Sequence, residues 1–225
     1  MGYYAAFLDV GERLCLVVGG GAAAEDKVRG LLESGANVVV CSGPTDSGLK
    51  PGPGLEELAA AGRVELRRRD FAVADLEGCV LVIDASGDDR SGVRVAAAAR
   101  ERGVLVNVLD RPALCDFIAP ALVRRGPLQL AISTAGRSPF MASHVRKLAE
   151  GWVGPEWGEL VELVGELRDR LRREAVPLEE QSIVYARIPG SGALELLREG
   201  RRDEARRAVQ ACAGSSDTAV RQASP

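Results

Sequence analysis

A glycine-rich turn near the start of the chain limits the folds that this sequence can adopt. The stretch LVVGGGAAAEDK runs from a short apolar segment through three consecutive glycines into small residues that favour a helix. The spacing Gly19-x-Gly21-x-x-Ala24 between a strand and a helix is typical of a dinucleotide-binding turn. The first glycine permits the tight bend, the second lets the backbone approach a pyrophosphate, and the small third residue allows close helix–sheet packing. The alternative is a tight strand-to-helix turn that binds no ligand.

Short apolar runs alternate with helical patterns through the first half of the chain. The last two runs are almost wholly apolar, which suits parallel strands buried on both faces. This alternation predicts βαβ units and therefore an α/β fold with a Rossmann-type parallel sheet. The predicted strands are Leu14–Val18, Asn37–Ser42, Val64–Arg67, Val80–Ala85 and Val104–Leu109. The predicted helices between them are Ala22–Ser34, Leu55–Ala61 and Asp89–Arg102.

The pattern changes after Asp110, where one strand and several helices are predicted. The strand is Leu128–Ser133, and the helices are Pro139–Glu150, Pro155–Glu174, Ala193–Leu197 and Asp203–Cys212. Ser138 and Pro139 are residue types favoured at a helix start. We therefore expect a Rossmann domain over 1–112, an α+β segment over 113–150, a small helical domain over 151–213 and a disordered tail over 214–225.

Composition excludes several classes of protein. The chain has 29 basic and 32 acidic residues, so it lacks the basic surface that nucleic acid requires. The five cysteines are scattered without a close pair, which argues against a zinc ribbon and fits a reducing compartment. No run of about 18 apolar residues is present, and the N-terminus lacks the pattern of a signal peptide. We expect a cytoplasmic protein with no resident metal and no nucleic-acid or membrane partner.

The second predicted strand departs from the usual dinucleotide fingerprint. An acidic residue near the end of this strand normally binds the ribose hydroxyls. Here Cys41, Ser42 and Gly43 occupy that position, and no arginine follows in the sequence to take a 2′-phosphate. Residues alone therefore leave NAD and NADP open, and the Ser42 hydroxyl is a candidate to bind the ribose.

Further motifs indicate a family. They are the opening YAAFLDVGERLCLVVGGG, the run VNVLDRPALCDFIAP from Val106 to Pro120, and STAGRSP from Ser133 to Pro139. Together with Lys27, these motifs resemble the precorrin-2 dehydrogenase family of sirohaem synthesis, some members of which are also sirohydrochlorin ferrochelatases. The resemblance runs from about Tyr4 to Glu150 and is looser in the helices beyond. It also explains the missing acid, because these enzymes share that departure.

The resemblance implies NAD-dependent oxidation of precorrin-2 to sirohydrochlorin, for sirohaem or a cobalamin precursor. It also implies a homodimer with a central dimerisation segment, and NAD as the cofactor. The positions that it assigns to cofactor contact are Gly21, Ala22, Ala23, Gly43 and Pro44, beside the motif residue Gly19 and the ribose candidate Ser42. In ASGDDRSG, Ser86 also falls beside the cofactor, although it replaces a threonine of the family.

The essential aspartate of the family matches Asp110. This residue follows a predicted central strand, where doubly wound sheets bind their ligands, and a carboxylate can accept the proton lost in dehydrogenation. One alternative is that Asp110 only caps the turn before Pro112. Another is that Asp116 takes the role instead. Similarly, Asp88 or Asp89 is expected to cap the helix that follows them.

The tetrapyrrole carries several carboxylates, so its pocket needs cationic and N–H donors. The candidates are Arg137, Arg124, Thr134 and Ser138, with Arg137 first because it lies inside the STAGRSP motif. The alternative for each arginine is a solvated surface position or a dimer salt bridge. His144, the single histidine, is expected at the surface or at a dimer interface, with a catalytic role as the alternative.

Two other functions compete with the dehydrogenase. Ferrochelation would use the same aspartate with Fe²⁺ or Co²⁺ and no NAD. Because the chain has a single histidine, a dedicated metal-insertion site is less favoured than dehydrogenation. A nucleotide-sensing Rossmann module would explain the glycine turn but would leave the motifs from Asp110 to Pro139 unexplained.

Overall fold

The computed structural model describes residues 2–43 and 51–214. The chain divides into two compact units, Met1–Ala119 and Pro120–Pro225. The predicted cofactor residue Pro44 lies outside the described residues, and so does the predicted tail apart from Gly214.

A five-stranded parallel sheet forms the centre of the first unit. Its strands are β1 (Leu14–Val18), β2 (Asn37–Cys41), β3 (Val64–Arg67), β4 (Cys79–Asp84) and β5 (Leu105–Val108). Their spatial order is β3-β2-β1-β4-β5, and every pair is parallel. The order reverses between β1 and β4, and ligands of doubly wound sheets bind beyond the carboxyl ends of the strands at such a point.

Helices cover both faces of this sheet. They are α1 (Ala22–Glu33), α2 (Pro53–Ala60) and α3 (Asp89–Glu101). Successive residues of β1 point to opposite faces, as the two-residue period of a strand requires. Cys15 and Val17 belong to a buried cluster with residues of α1 and α2, whereas Leu16 and Val18 belong to one with residues of α3. The near-continuous apolar runs of the sequence therefore reflect burial on both faces.

The second unit begins with a hairpin and continues as helices. The strands β6 (Ala121–Arg125) and β7 (Leu128–Ile132) are antiparallel. The helices are α4 (Pro139–Trp152), α5 (Pro155–Arg173), α6 (Leu178–Arg187), α7 (Ala193–Arg198) and α8 (Arg202–Ala211). Leu163, Leu167 and Leu171 of α5 are buried in the core of the helical region. Gly158 brings α5 against the hairpin, because a Cβ there would lie 2.3 Å from the carbonyl oxygen of Arg125.

The fold class predicted from the sequence is confirmed. The parallel sheet, the α+β segment and the small helical region follow one another in the expected order. Two elements were not predicted, β6 and α6. The segment 113–119 packs with the first unit, because Asp116 exchanges hydrogen bonds with the backbone of β5.

Candidate functional site

Gly19 ends β1 in a conformation that only glycine adopts readily. Its φ is +127°, and a Cβ placed on it would lie 2.6 Å from the carbonyl oxygen of Ala85. Its amide donates to the carbonyl of Cys41 at 2.8 Å. The turn is thus clamped between the carboxyl ends of β2 and β4, and no side chain fits between them.

The N-terminus of α1 is open to an anion. Gly21 is its N-cap, and within the described ranges 2–43 and 51–214 no side chain accepts a hydrogen bond from the first amides of the helix. The next two residues, Ala22 and Ala23, are small and exposed. Free N–H groups and the positive end of the helix dipole suit a phosphate group.

Ser42 and Gly43 follow β2 at the same edge of the sheet. The Ser42 side chain is 4% exposed, and its hydroxyl has no hydrogen-bond partner within the described part of the chain. An unpaired buried hydroxyl is costly, so it marks a position where a ligand would be stabilised. Gly43 has a packing role as well, because a Cβ on it would lie 1.9 Å from Oδ1 of Asp70.

The pairing of β2 with β3 places charged residues beside the end of β2. Their position there does not follow from the order of residues in the sequence. Arg67 is the register partner of Cys41, and its carbonyl accepts from the Ser42 amide at 3.0 Å. Arg67 and Arg69 both bind the buried carboxylate of Asp75, each with a shortest N–O distance of 2.6 Å. Arginines therefore do lie near the end of β2, although none follows it in the sequence.

Asp75 stays ionised in this cluster. Burial by itself favours the neutral acid, but hydrogen bonds from Arg69, the amide of Ala72 and Arg67 hold the pKa of Asp75 below its usual range. The Cys41 thiol also donates to Asp75 at 3.4 Å. Burial, together with this carboxylate, raises the pKa of Cys41 to about 12, so the thiol is not a nucleophile at neutral pH.

The last residue of β4, Asp84, is a buried acid. Asp84 is 2% exposed and accepts from the Ser86 amide and hydroxyl on one oxygen, at 3.0 and 2.7 Å, and from Ser91 on the other at 2.9 Å. Burial raises the pKa of Asp84, and the serine hydrogen bonds offset part of this effect. Asp88 caps α3 by accepting from the amides of Arg90 and Ser91, as one of the alternatives predicted. The Ser86 hydroxyl is thus engaged in ordering this loop.

Asp110 lies two residues beyond β5, at the same carboxyl edge. Its φ is +59°, a left-handed conformation that costs a non-glycine residue free energy and is common at functional sites. Its side chain is exposed and has no hydrogen-bond partner among the described residues. The turn at Pro112–Leu114 has no side-chain cap, so Asp110 does not act as the turn cap of the alternative interpretation.

Asp116 is occupied elsewhere. Its carboxylate accepts from the amide of Val106 at 3.2 Å and from Arg100 at 3.3 Å, while its own amide donates to the Val106 carbonyl. Cys115 likewise bonds to the amide and carbonyl of Val108 through its thiol. These contacts cover the outer edge of β5, so Asp116 has a structural role and Asp110 is the carboxylate left open.

The second unit contains the predicted substrate residues in the loop before α4. The Thr134 hydroxyl accepts from the Ser138 amide at 3.1 Å and donates to its carbonyl at 3.0 Å, and the Ser138 hydroxyl caps α4 through the amide of Met141. Ala135 has a φ of +53°, a left-handed conformation that is uncommon for a residue other than glycine. Arg137 is exposed and has no ion-pair partner in the part of the chain that is described.

The remaining candidates of this unit are Arg124 and His144. Arg124 is half-buried on β6, opposite Gln129. His144 is exposed on α4 and stacks on Phe140 with 6.4 Å between the ring centroids. Within residues 2–43 and 51–214, no helix is long and apolar enough to cross a membrane, and no group of three metal-ligating side chains comes together.

Sequence reasoning missed two acids at the sheet edge, Asp70 and Asp84. Asp84 could have been noticed as the charged residue that ends the otherwise apolar run CVLVID. Asp70 has a weaker signal, since its position depends on β3 lying next to β2.

Comparison with known proteins agrees with the motifs. A family model described as putative NAD(P)-binding matches residues 6–121, and one described as the central part of sirohaem biosynthesis proteins matches residues 125–148. A siroheme synthase of Methylococcus capsulatus is 36% identical over 225 residues, which are 100% of this chain and 46% of that protein. One from Pseudomonas aeruginosa is 34% identical over 210 residues, 93% of this chain and 44% of its own length. The chain thus spans less than half of these relatives.

A solved structure has the same fold. SirC, a precorrin-2 dehydrogenase, matches 92% of this chain and 99% of its own with a TM-score of 0.69 and 23% sequence identity. The resemblance predicted from the sequence is confirmed by these matches. Since the first family model covers more than half of the chain, the protein belongs to the putative NAD(P)-binding family, with a sirohaem biosynthesis central segment following that domain.

Proposed function

We propose that this protein oxidises precorrin-2 to sirohydrochlorin with NAD, in the synthesis of sirohaem or a cobalamin precursor. The names of its relatives and of the structural neighbour SirC support this assignment. The observation that carries it is Asp110, an exposed carboxylate in a left-handed conformation at the ligand-binding edge of the sheet, with no hydrogen-bond partner among residues 2–43 and 51–214. A cytoplasmic location is part of the same proposal.

The glycine turn and the end of β2 fit a dinucleotide. The close approach at Gly19 keeps the turn free of side chains, and the uncapped start of α1 at Gly21 offers amides to a pyrophosphate. The buried Ser42 hydroxyl lacks a partner in the described residues, and a ribose hydroxyl would supply one. Ala22, Ala23, Gly43, Pro44 and Ser86 complete the proposed cofactor contacts.

Asp110 is proposed as the general base. A bound nicotinamide would supply the acceptor for the hydride that leaves a carbon of precorrin-2. The carboxylate of Asp110 takes the proton that must leave with it, so one C–H hydride and one proton are removed as the new double bond forms. Its exposure leaves it accessible to a large substrate, whereas the carboxylates of Asp84 and Asp116 are already hydrogen-bonded within the protein.

The carboxylates of the substrate are proposed to bind in the second unit. Arg137 is an exposed cation without an ion-pair partner in the described part of the chain, and Arg124 on β6 is the second candidate. Thr134 and Ser138 order the loop that carries Arg137 and the start of α4. Their hydroxyls are used in that loop, so their contribution to substrate binding is through its shape.

A homodimer is proposed through α4. Phe140 in the first turn is 76% exposed, and four further exposed apolar side chains share one face of this helix, of which Trp152 is 73% exposed. The others are Met141, Val145 and Leu148. A continuous apolar face of this kind is stabilised when another surface covers it, and the family resemblance favours a second copy of the chain.

The test is an anaerobic assay with enzymatically made precorrin-2, following sirohydrochlorin absorbance with and without NAD. We expect NAD-dependent product from the wild type. The isosteric variant Asp110→Asn should bind NAD with unchanged affinity and lose at least about 100-fold in turnover, because it cannot accept the proton.

Two results would count against the proposal. If Asp110→Asn formed product as fast as the wild type, Asp110 would not be the general base. If the wild type bound NAD without any turnover, the nucleotide-sensing module would be favoured. Incubation of sirohydrochlorin with Co²⁺ or Fe²⁺ in the absence of NAD measures ferrochelation separately.

A further inference from the structure

An acidic side chain lies at the end of β2 although none is present in that strand. Asp70 follows β3, and its carboxylate packs so closely on Gly43 that a Cβ at Gly43 would lie 1.9 Å from its Oδ1. The amide nitrogen of Asp70 is also close, at 2.3 Å from the same point. A carboxylate therefore stands at the strand end where the dinucleotide fingerprint places its ribose-binding acid, but it comes from the neighbouring strand.

A second and independent observation marks the same strand end as a ligand position. The hydroxyl of Ser42, the residue before Gly43, is buried and has no hydrogen-bond partner among the described residues. Buried hydroxyls in proteins are almost always paired. A ribose offers hydroxyl groups that both donate and accept, so it could pair with the serine and the carboxylate together.

The three consecutive arginines at the end of β3 are paired with acids. Arg67 binds Glu65 and Asp75, and Arg69 binds Asp75. Arg68 binds Glu56 of α2, with 2.5 Å between Nη2 and Oε2. The guanidinium groups of these three arginines are therefore already engaged by carboxylates of the protein.

We propose that Asp70 accepts a hydrogen bond from the 2′-hydroxyl of the adenosine ribose and thereby selects NAD over NADP. The inference rests on the proposed dinucleotide function and adds the residue that sets its specificity. A 2′-phosphate would replace the hydroxyl donor by a group of like charge beside the carboxylate, so NADP loses a hydrogen bond and gains a repulsion.

The test measures the binding of NAD⁺ and NADP⁺ by isothermal titration calorimetry, without any tetrapyrrole. We expect the wild type to bind NAD⁺ at least about tenfold more tightly than NADP⁺. Asp70→Ala should weaken NAD⁺ about tenfold, because a charge-assisted hydrogen bond is lost, and should leave NADP⁺ unchanged or tighter. Asp70→Asn keeps an acceptor oxygen, so it should retain more NAD⁺ affinity while binding NADP⁺ better than the wild type does.

Glu101→Gln is the matched control. It removes one negative charge from the same unit at the end of α3, which lies at the opposite edge of the sheet, and should change neither affinity. A purely structural role for Asp70 would weaken both dinucleotides equally, and that result would overturn the inference. So would a wild type that prefers NADP⁺. If neither dinucleotide binds, the proposed function itself fails, whereas NADP⁺ preference leaves the dehydrogenase intact.

Discussion

Gly19 shows how a single residue determines the shape of the cofactor turn. Its left-handed backbone and its closeness to the end of β4 are separate constraints, and each excludes a side chain. The GxGxxA pattern therefore has a steric cause that can be tested without any ligand.

We expect Gly19→Ala to lower the free energy of unfolding by about 2 kcal/mol or more, because the new Cβ would overlap the Ala85 carbonyl at an unfavourable φ. NAD affinity should fall with it. The matched control is Gly30→Ala on the exposed side of α1, where a Cβ meets nothing within 4 Å. That change should stabilise the protein by about 0.5–1 kcal/mol, since alanine favours a helix. Urea unfolding of both variants measures this, and equal stability of the two would contradict the steric argument.

The site residues differ in how far the sequence could predict them. Gly19 and Asp110 lie in local motifs at strand ends, so their positions follow from the chain around them. Asp70 lies at the end of β2 only because β3 pairs with β2, and the local sequence pattern does not predict the order of strands in a sheet. Asp84 ends a strand that was predicted correctly, but its burial depends on hydrogen bonds from Ser86 and Ser91. Side chains that depend on tertiary contacts were thus the ones missed.

At the scale of elements, the helices and strands with clear local sequence patterns were predicted, and those that depend on tertiary packing were missed. The β1–α1 and β4–α3 units have strong apolar runs and clear helix starts. By contrast, α6 buries only Gln181 and Val184 while Leu178 and Ile183 are exposed, so its apolar residues do not mark its packed face. Two of the five residues of β6 are arginines, and its pairing with β7 defines the strand.

The cluster around Asp75 joins β2, β3 and the turn after β3, and it predicts a pH dependence of stability. The pKa of Asp75 is lower in the folded protein than the usual value of about 4, so its stabilising effect is complete above that pH and is lost as the pH falls towards the folded pKa. Asp75→Asn leaves Arg67 and Arg69 without their buried partner and should cost about 2 kcal/mol at neutral pH.

Urea unfolding at about pH 7 and about pH 3 tests this effect. The difference between wild type and Asp75→Asn should narrow at the lower pH, because the Asp75 carboxylate of the unfolded chain takes up a proton there while that of the folded protein stays ionised. Glu77→Gln, at a nearby exposed residue, is the control and should differ little from wild type at either pH. A difference for Asp75→Asn that is the same at both pH values would argue against an ionic role.

At the scale of the whole molecule, the apolar face of α4 predicts the oligomeric state. If a second copy covers this face, Leu148→Glu should raise the dimer dissociation constant at least about tenfold, because a charge would be buried at the interface. Ile183→Glu on α6 is the matched control, since it replaces another exposed apolar residue of the same unit. Analytical ultracentrifugation gives the result, and a monomeric wild type or an unchanged Leu148→Glu dimer would exclude this interface.

The covering of β5 by Cys115 and Asp116 has a consequence for how copies of this protein can meet. A free outer edge would offer a row of unpaired amides and carbonyls to the strand of another molecule, which is the common start of edge-to-edge aggregation. Here the thiol and the carboxylate occupy those groups on Val106 and Val108. The outward N–H and C=O groups of Val106 and Val108 are therefore occupied, so the β5 edge is protected against pairing with a strand of another copy.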